Sequence, residues 1–273
     1  MRGFSMLAAA GAVTFTVAAA QAADLGVPFV PAPVPEVSGW YLRGNLGMTN
    51  QQVKSLTNVV SPGTTVETKF LTFDSAPFGG LGIGYQVNQW LRFDATGEYR
   101  AKAHFHGNQV AGFGAIILPD DYHASKSEWL FLANAYVDLG TWWGVTPFIG
   151  AGIGESRNTI SSFVDTGATQ AGATILSTTY GGEASQWNFA WALYAGLAYK
   201  VTPGLTLEFA YRYLNLGDAR TGPTNSFDGV TVVNGTPFVF HDLTSNDFML
   251  GMRWTLGEPV APLLLPPPLI SKG

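Results

Sequence analysis

The chain has 273 residues, no cysteine, and 14 Lys+Arg against 19 Asp+Glu, a formal net charge of -5. Only 12% of its residues are charged, against about a quarter in ordinary domains, while 13% are aromatic and 33 are glycine. This excludes a disordered chain, which pairs low hydrophobicity with high net charge. It also excludes a disulfide scaffold or cysteine-ligated zinc protein, and a nucleic-acid binder, because nothing here would neutralise a run of phosphates.

The first segment is Arg2, then a charge-free apolar run from Met6 to Ala20, then Ala20-Gln21-Ala22 as a small-x-small cleavage site. Residues 1–22 therefore read as a secretory signal peptide. A membrane anchor is the alternative, but the run is shorter than the ~20 residues a spanning helix needs. Residues 23–38, with Pro28, Pro31, Pro33 and Pro35, read as an extended Pro-rich periplasmic segment. Residues 257–273, with Pro259, Pro262 and Pro266 to Pro268, form a matching C-terminal tail.

Between these ends the hydrophobic period is 2, the signature of strands. In 91–99, Leu91, Phe93, Ala95, Gly97 and Tyr99 oppose Arg92, Asp94, Thr96 and Glu98. In 205–213, Leu205, Leu207, Phe209, Tyr211 and Tyr213 oppose Thr206, Glu208, Ala210 and Arg212. Alternation predicts eight strands, near 39–48, 78–87, 90–100, 127–139, 145–156, 186–200, 204–214 and 245–256. Most reach the ~9–11 residues a tilted spanning strand requires. Short turns (Asn88-Gln89, Gly140 to Gly144, Val201-Thr202-Pro203) alternate with four connections of roughly thirty residues. That is the layout of an outer-membrane barrel with short periplasmic turns and long external loops.

A soluble barrel also alternates, with its greasy face inward. The aromatic residues decide against it: Trp40, Trp90, Tyr99, Trp129, Trp187, Tyr199, Tyr213 and Trp254 lie near strand ends, as in a membrane girdle. The opposite face carries Gly80, Gly82 and Gly84, small residues suited to a narrow interior. The expected fold is an all-β, eight-stranded antiparallel up-and-down transmembrane β-barrel over residues 39–256.

Ala22-Ala23-Asp24-Leu25, a Pro-rich spacer and Ser38-Gly39-Trp40-Tyr41-Leu42-Arg43-Gly44-Asn45-Leu46-Gly47 resemble the small outer-membrane β-barrel surface proteins of alphaproteobacteria, the 25- and 31-kilodalton immunogenic porin-like family related to opacity-type barrels. The resemblance covers residues 24 to 256. It implies an eight-stranded outer-membrane barrel with variable loops, in a structural, adhesive or weakly pore-forming role, and it carries no catalytic motif. Gly251-Met252-Arg253-Trp254-Thr255-Leu256 resembles the terminal-strand signal read by barrel-assembly machinery.

With the greasy face outward, Arg43, Arg92, Arg212 and Arg253 point inward with Asp94, Glu98, Glu128 and Glu208. Asp138 and Asp247, near strand ends, join them, as do Asn45, Asn134, Tyr136, Asn188 and Tyr194. An eight-stranded barrel is only wide enough for its own side chains, so these charges are expected to form a network of ion pairs that plugs it. A charged constriction in a narrow pore is the alternative. Asp94 and Glu98 stand about 13 Å apart by strand rise, too far to share a proton.

All four histidines, His104, His106, His123 and His241, fall in connections. The spacing His104-Phe105-His106, with Asp120, Asp121 and His123 in the same connection, has the ligand types of a transition-metal site. It is common by chance, and exposed loop polarity is the reading adopted. No catalytic, cofactor or metal residues are assigned. Val110 to Leu118 is apolar enough for a hairpin extending the wall or a contact patch. The chain is therefore expected to be a surface protein of the outer membrane with an envelope-structural and loop-mediated role. Its partners are expected to be membrane lipid, lipopolysaccharide, barrel-assembly machinery and a host or cell-surface ligand. A narrow porin and an outer-leaflet lipid-modifying enzyme are the alternatives.

Overall fold

The computed structural model describes residues 39–58, 64–113, 116–170, 174–227 and 229–256. The signal peptide and both Pro-rich segments assigned from the sequence lie outside the described residues. The strands are β1 (Gly39–Gln52), β2 (Ser55–Thr57), β3 (Thr65–Phe73), β4 (Ala76–Gln86), β5 (Leu91–Phe113), β6 (Ile116–Asp138), β7 (Val145–Gln170), β8 (Thr174–Gly181), β9 (Ala184–Thr202), β10 (Leu205–Arg220), β11 (Thr224–Phe227), β12 (Val232–Gly235) and β13 (Val239–Thr255).

Eight of them close a ring in the order β1-β4-β5-β6-β7-β9-β10-β13, every neighbour antiparallel. The closing pair runs from Tyr41↔Thr255 to Gln52↔Thr244. Closure is what a bilayer demands, because an open edge would leave N–H and C=O groups without partners in hydrocarbon. The short turns cap themselves. Asn88 Oδ1 accepts from the backbone N–H groups of Trp90 and Leu91 at 2.9 and 2.8 Å. Gly140 and Gly144 take φ of 113° and 83°, the left-handed region that glycine occupies without strain.

The long connections differ from expectation. Much of each is continued strand: β5 and β6 run 23 residues each and β7 runs 26. Within the apolar stretch from Val110 to Leu118, Ala111, Gly112 and Phe113 pair with Leu118, Ile117 and Ile116 across the β5–β6 hairpin, so these residues extend the wall. The remaining strands sit on these extensions, β2 on β13, β3 on β5 and β8 on β7, with β11 paired to β8 and β12 to β11. The greasy stripe stops where the lipid stops, and the hydrophobic signal stops with it. The backbone ladder continues, because neighbouring chains still satisfy each other's hydrogen bonds.

A β-bulge marks the transition. Arg100 pairs with Glu128, but the next matched pair is Ala103 with Lys126, so β5 carries one extra residue. One residue flips every later side chain to the other face. Below the bulge Arg92, Asp94, Thr96, Glu98 and Arg100 are buried; above it Ala103, Phe105 and Gln109 are.

The outer wall is apolar, with Leu46, Leu81 and Leu250 exposed between two aromatic belts. Trp40, Trp90, Tyr199 and Trp254 lie toward the short turns; Tyr99, Trp129 and Trp187 lie toward the long hairpins, and all seven are exposed. Tyr213 is half-buried, its ring 5.5 Å from that of Trp191. Inside, glycines make room for large neighbours. A Cβ on Gly84 would collide with the Tyr41 ring, and one on Gly150 with the Tyr136 ring. Gly84→Leu is therefore expected to cut the yield of refolded, heat-modifiable protein on an unboiled gel, whereas outward-facing Leu81→Ala should leave it near wild type.

Candidate functional site

The lumen lies between the aromatic belts, and twelve of its buried side chains are charged. The six cations are Arg43, Arg92, Arg100, Lys126, Arg212 and Arg253; the six anions are Asp94, Glu98, Glu128, Asp138, Glu208 and Asp247. They fall into two clusters, each with three charges of either sign.

The cluster nearer the short turns holds Arg43, Arg92 and Arg253 with Asp94, Asp138 and Glu208. Arg43 contacts Asp94 at 2.9 Å and Glu208 at 3.3 Å. Arg92 contacts Asp138 at 3.2 Å and Glu208 at 3.4 Å, and Arg253 reaches Glu208 at 3.4 Å. Glu208 is thus shared by three guanidinium groups. Tyr41 donates to Asp94, and Arg43 donates to the Tyr136 hydroxyl at 2.7 Å. Asn134 donates to Asp94 at 2.8 Å and accepts from Tyr194 at 2.9 Å.

The cluster nearer the outer belt holds Arg100, Lys126 and Arg212 with Glu98, Glu128 and Asp247. Arg212 grips Glu98 through two parallel bonds of 2.9 and 2.7 Å and reaches Asp247 at 2.8 Å. Arg100 contacts Asp247 at 2.7 Å and also pairs with Glu128. Lys126 pairs with Glu128 and donates to Gln51 at 2.9 Å. Aromatic faces cover the guanidinium planes, with Arg92 4.2 Å from the Tyr136 ring and Arg212 5.1 Å from the Phe78 ring. Arg can stack and pair at once because its guanidinium is flat and its donors lie in that plane.

All eight lumen residues named from the sequence face inward, and Asp138 and Asp247 join them. Asp94 and Glu98 do not act together, since each has its own cation. Asn188 lies at the outer end, half-buried, donating to the Asp218 carbonyl. Arg100 and Lys126 were missed. Both continue the inward alternation, Arg100 as the last step of 92-94-96-98 and Lys126 one step before Glu128. Arg100 already lies in the strand expected near 90–100, and one more residue on the strand near 127–139 takes in Lys126.

Above the outer cluster the interior turns apolar. Phe73, Phe105, Tyr122, Phe163, Phe238 and Phe240 are buried there with Leu56, Ile160, Leu214, Leu216 and Leu243. Phe105 lies 5.0 Å from Phe240, and Phe163 4.7 Å from Phe238, ring to ring. Strands that alternation in lipid cannot reveal thus supply a second, hydrocarbon filling.

A cavity of about 300 Å³ opens over this layer, lined by Leu56, Val66, Gln109, Asp120, Tyr122, Asp165 and Phe238 among others. Burial first, then Asp121, pushes the Asp120 carboxyl up to about 6. Burial first, then Asp120 and Asp121, pushes Asp165 up to about 7. At the rim, Asp218 Oδ2 lies 3.2 Å from His241 Nδ1, and His241 Nε2 lies 2.8 Å from Thr57 Oγ1. This chain ties β2 to β10 and β13.

A family model described as the outer membrane protein beta-barrel domain matches residues 7–238. The chain belongs to this family. It is 34% identical to an uncharacterized protein of Brucella suis biovar 1 over 222 residues, 74% of this chain and 77% of that one. It is 28% identical to a Rickettsia bellii protein named "Putative adhesin", covering 76% of this chain and 85% of the relative. It is 27% identical to the outer membrane protein PagN of Salmonella typhimurium, covering 79% and 89%. The protein is an outer-membrane β-barrel, as the entry strand Gly39 to Gly47 suggested.

Two predictions follow from the charges. Arg212→Met leaves Glu98 and Asp247 short of a cation, and removing one partner of a buried pair costs about 3–5 kcal/mol. Adding Glu98→Gln restores equal numbers in that cluster and should recover part of the loss in urea unfolding followed by tryptophan fluorescence. A double variant no better than the single one would disprove the role of charge matching. At the mouth, the folded Asp165 carboxyl holds its proton to higher pH than the unfolded one. Its contribution is therefore most favourable at low pH and is lost as pH rises from about 4 to about 7. Proteolysis of the outer hairpins should be faster at pH 8 than at pH 5, and Asp165→Asn should flatten that difference.

Proposed function

We propose that this barrel is a non-enzymatic surface protein: its lumen is a plug of ion pairs, and its outer hairpins make contacts with lipopolysaccharide or another cell's surface. The observation that carries the reading is the separate neutrality of the two charge clusters. A selective pore places an excess of one sign along its path. Here each cluster has three cations against three anions, nearly all with side chains under a tenth exposed. The aromatic layer above them adds an apolar barrier where a solute would have to leave water.

The outer hairpins support the interaction role. Phe70, Tyr180, Phe227, Val232 and Val233 are exposed there, outside the lipid-facing wall. Exposed apolar residues beyond the bilayer suit contacts with another surface. The name of the Rickettsia relative contains the word adhesin, which agrees with this use of the hairpins. The Asp218–His241–Thr57 chain has the order of a hydrolase relay, but its hydroxyl is a secondary alcohol on a three-residue strand and its imidazole serves as a tie between strands.

The test is the conductance of the refolded protein in a planar bilayer. Silence from folded barrels is the expected result, and steady openings altered by Glu208→Gln would overturn the plug. Replacing Gly107–Tyr122 by a tight turn should keep the barrel heat-modifiable while lowering attachment of expressing cells to lipopolysaccharide-coated or host-cell surfaces. Unchanged attachment would remove that hairpin from the role.

A further inference from the structure

His106 on β5 and His123 on β6 stand directly opposite each other on the outward face, beyond the outer aromatic belt. The bulge at Arg100/Ala103 turns His106 outward, since without the extra residue it would point into the lumen, and His123 faces outward by the plain alternation of β6. Their Nδ1 atoms are 3.1 Å apart, and the rings lie nearly perpendicular, with centroids 5.1 Å apart. Two imidazole nitrogens at this separation share either a proton or a cation. Transition-metal bonds to imidazole are about 2.0–2.1 Å long. Two such bonds to nitrogens 3.1 Å apart meet at about 98°, between the octahedral and tetrahedral angles.

A carboxylate stands near the other nitrogen of His106. His106 Nε2 is 3.9 Å from Asp74 Oδ2, on the side of the ring away from His123. That separation is too long for a hydrogen bond, so the carboxylate acts there only as a nearby charge. The neighbouring rungs of the same face are also polar. His104 Nδ1 lies 3.3 Å from Ser125 Oγ, and Asn108 donates to Asp121 at 2.6 Å. Among the described residues no group of three His, Asp or Glu side chains converges. The protein thus contributes two ligands and leaves other positions to water or to oxygen ligands from outside.

We propose that His106 and His123 form a two-imidazole site for a divalent first-row transition cation, Cu²⁺, Ni²⁺ or Zn²⁺, which clamps the β5–β6 hairpin on the outer face of the barrel. Imidazole suits these ions, and Cu²⁺ binds tightest in the general order of affinities.

The experiment titrates CuCl₂ into the untagged, refolded full chain in detergent and follows paramagnetic resonance. One Cu²⁺ per chain with two-nitrogen coupling is expected. His106→Ala or His123→Ala should each weaken binding at least tenfold and remove one nitrogen, whereas His241→Ala should change nothing. Both histidines are exposed, and heat-modifiable gel mobility verifies that each variant folds. Tight binding that survives the double variant, or wild-type protein that takes up no stoichiometric copper, would overturn the site. In the latter case the imidazoles only share a proton.

Discussion

Everything inside this barrel depends on charge neutrality in a space too narrow for water to do the job. Eight strands enclose room for side chains and little else. Each buried ion must find its counterion there, because isolated burial costs several kcal/mol per charge. The chain meets this constraint twice, in two clusters of three cations and three anions stacked along the lumen. The pairings cross between strands far apart in sequence, such as Arg212 with Glu98 and Arg100 with Asp247. They therefore cross-brace the ring from within, in addition to the backbone ladder that closes it.

The outer half of the molecule obeys a different rule. Beyond the aromatic belt the wall faces water, so its outward residues no longer need to be apolar, and the interior can be. One extra residue in β5 performs the exchange, turning Phe105 inward and His104 and His106 outward. The ion-paired lumen is thereby capped by a hydrocarbon core of Phe73, Phe105, Phe163, Phe238 and Phe240. The same shift sets His106 on the outer surface opposite His123, while an extra residue in β7, between Ser161 and Val164, sets the faces of the β7 residues above it, Asp165 among them. Stability, closure of the lumen and the chemistry of the outer face are thus coupled through the backbone register.

The division of labour follows. In the membrane-embedded half the buried charges balance, six cations against six anions. The extended hairpins carry exposed aromatic and aliphatic groups into the surroundings, with titratable carboxyls and imidazoles among them.

The sequence by itself determined the eight membrane strands, the two belts and ten of the twelve lumen charges. Lipid on one side and a packed interior on the other impose a strict period of 2, and that period is written in consecutive residues such as Leu91 to Tyr99 and Leu205 to Tyr213. Arg100 and Lys126 sat one step past the last clear repeat. What only the tertiary structure decided was which charge meets which, where the bulge falls, and that the long connections are strands with an apolar core. Those outcomes depend on pairing between segments rather than on pattern within one. Past the bilayer edge the solvent no longer enforces alternation, so the residues there carry no local record of the face they occupy.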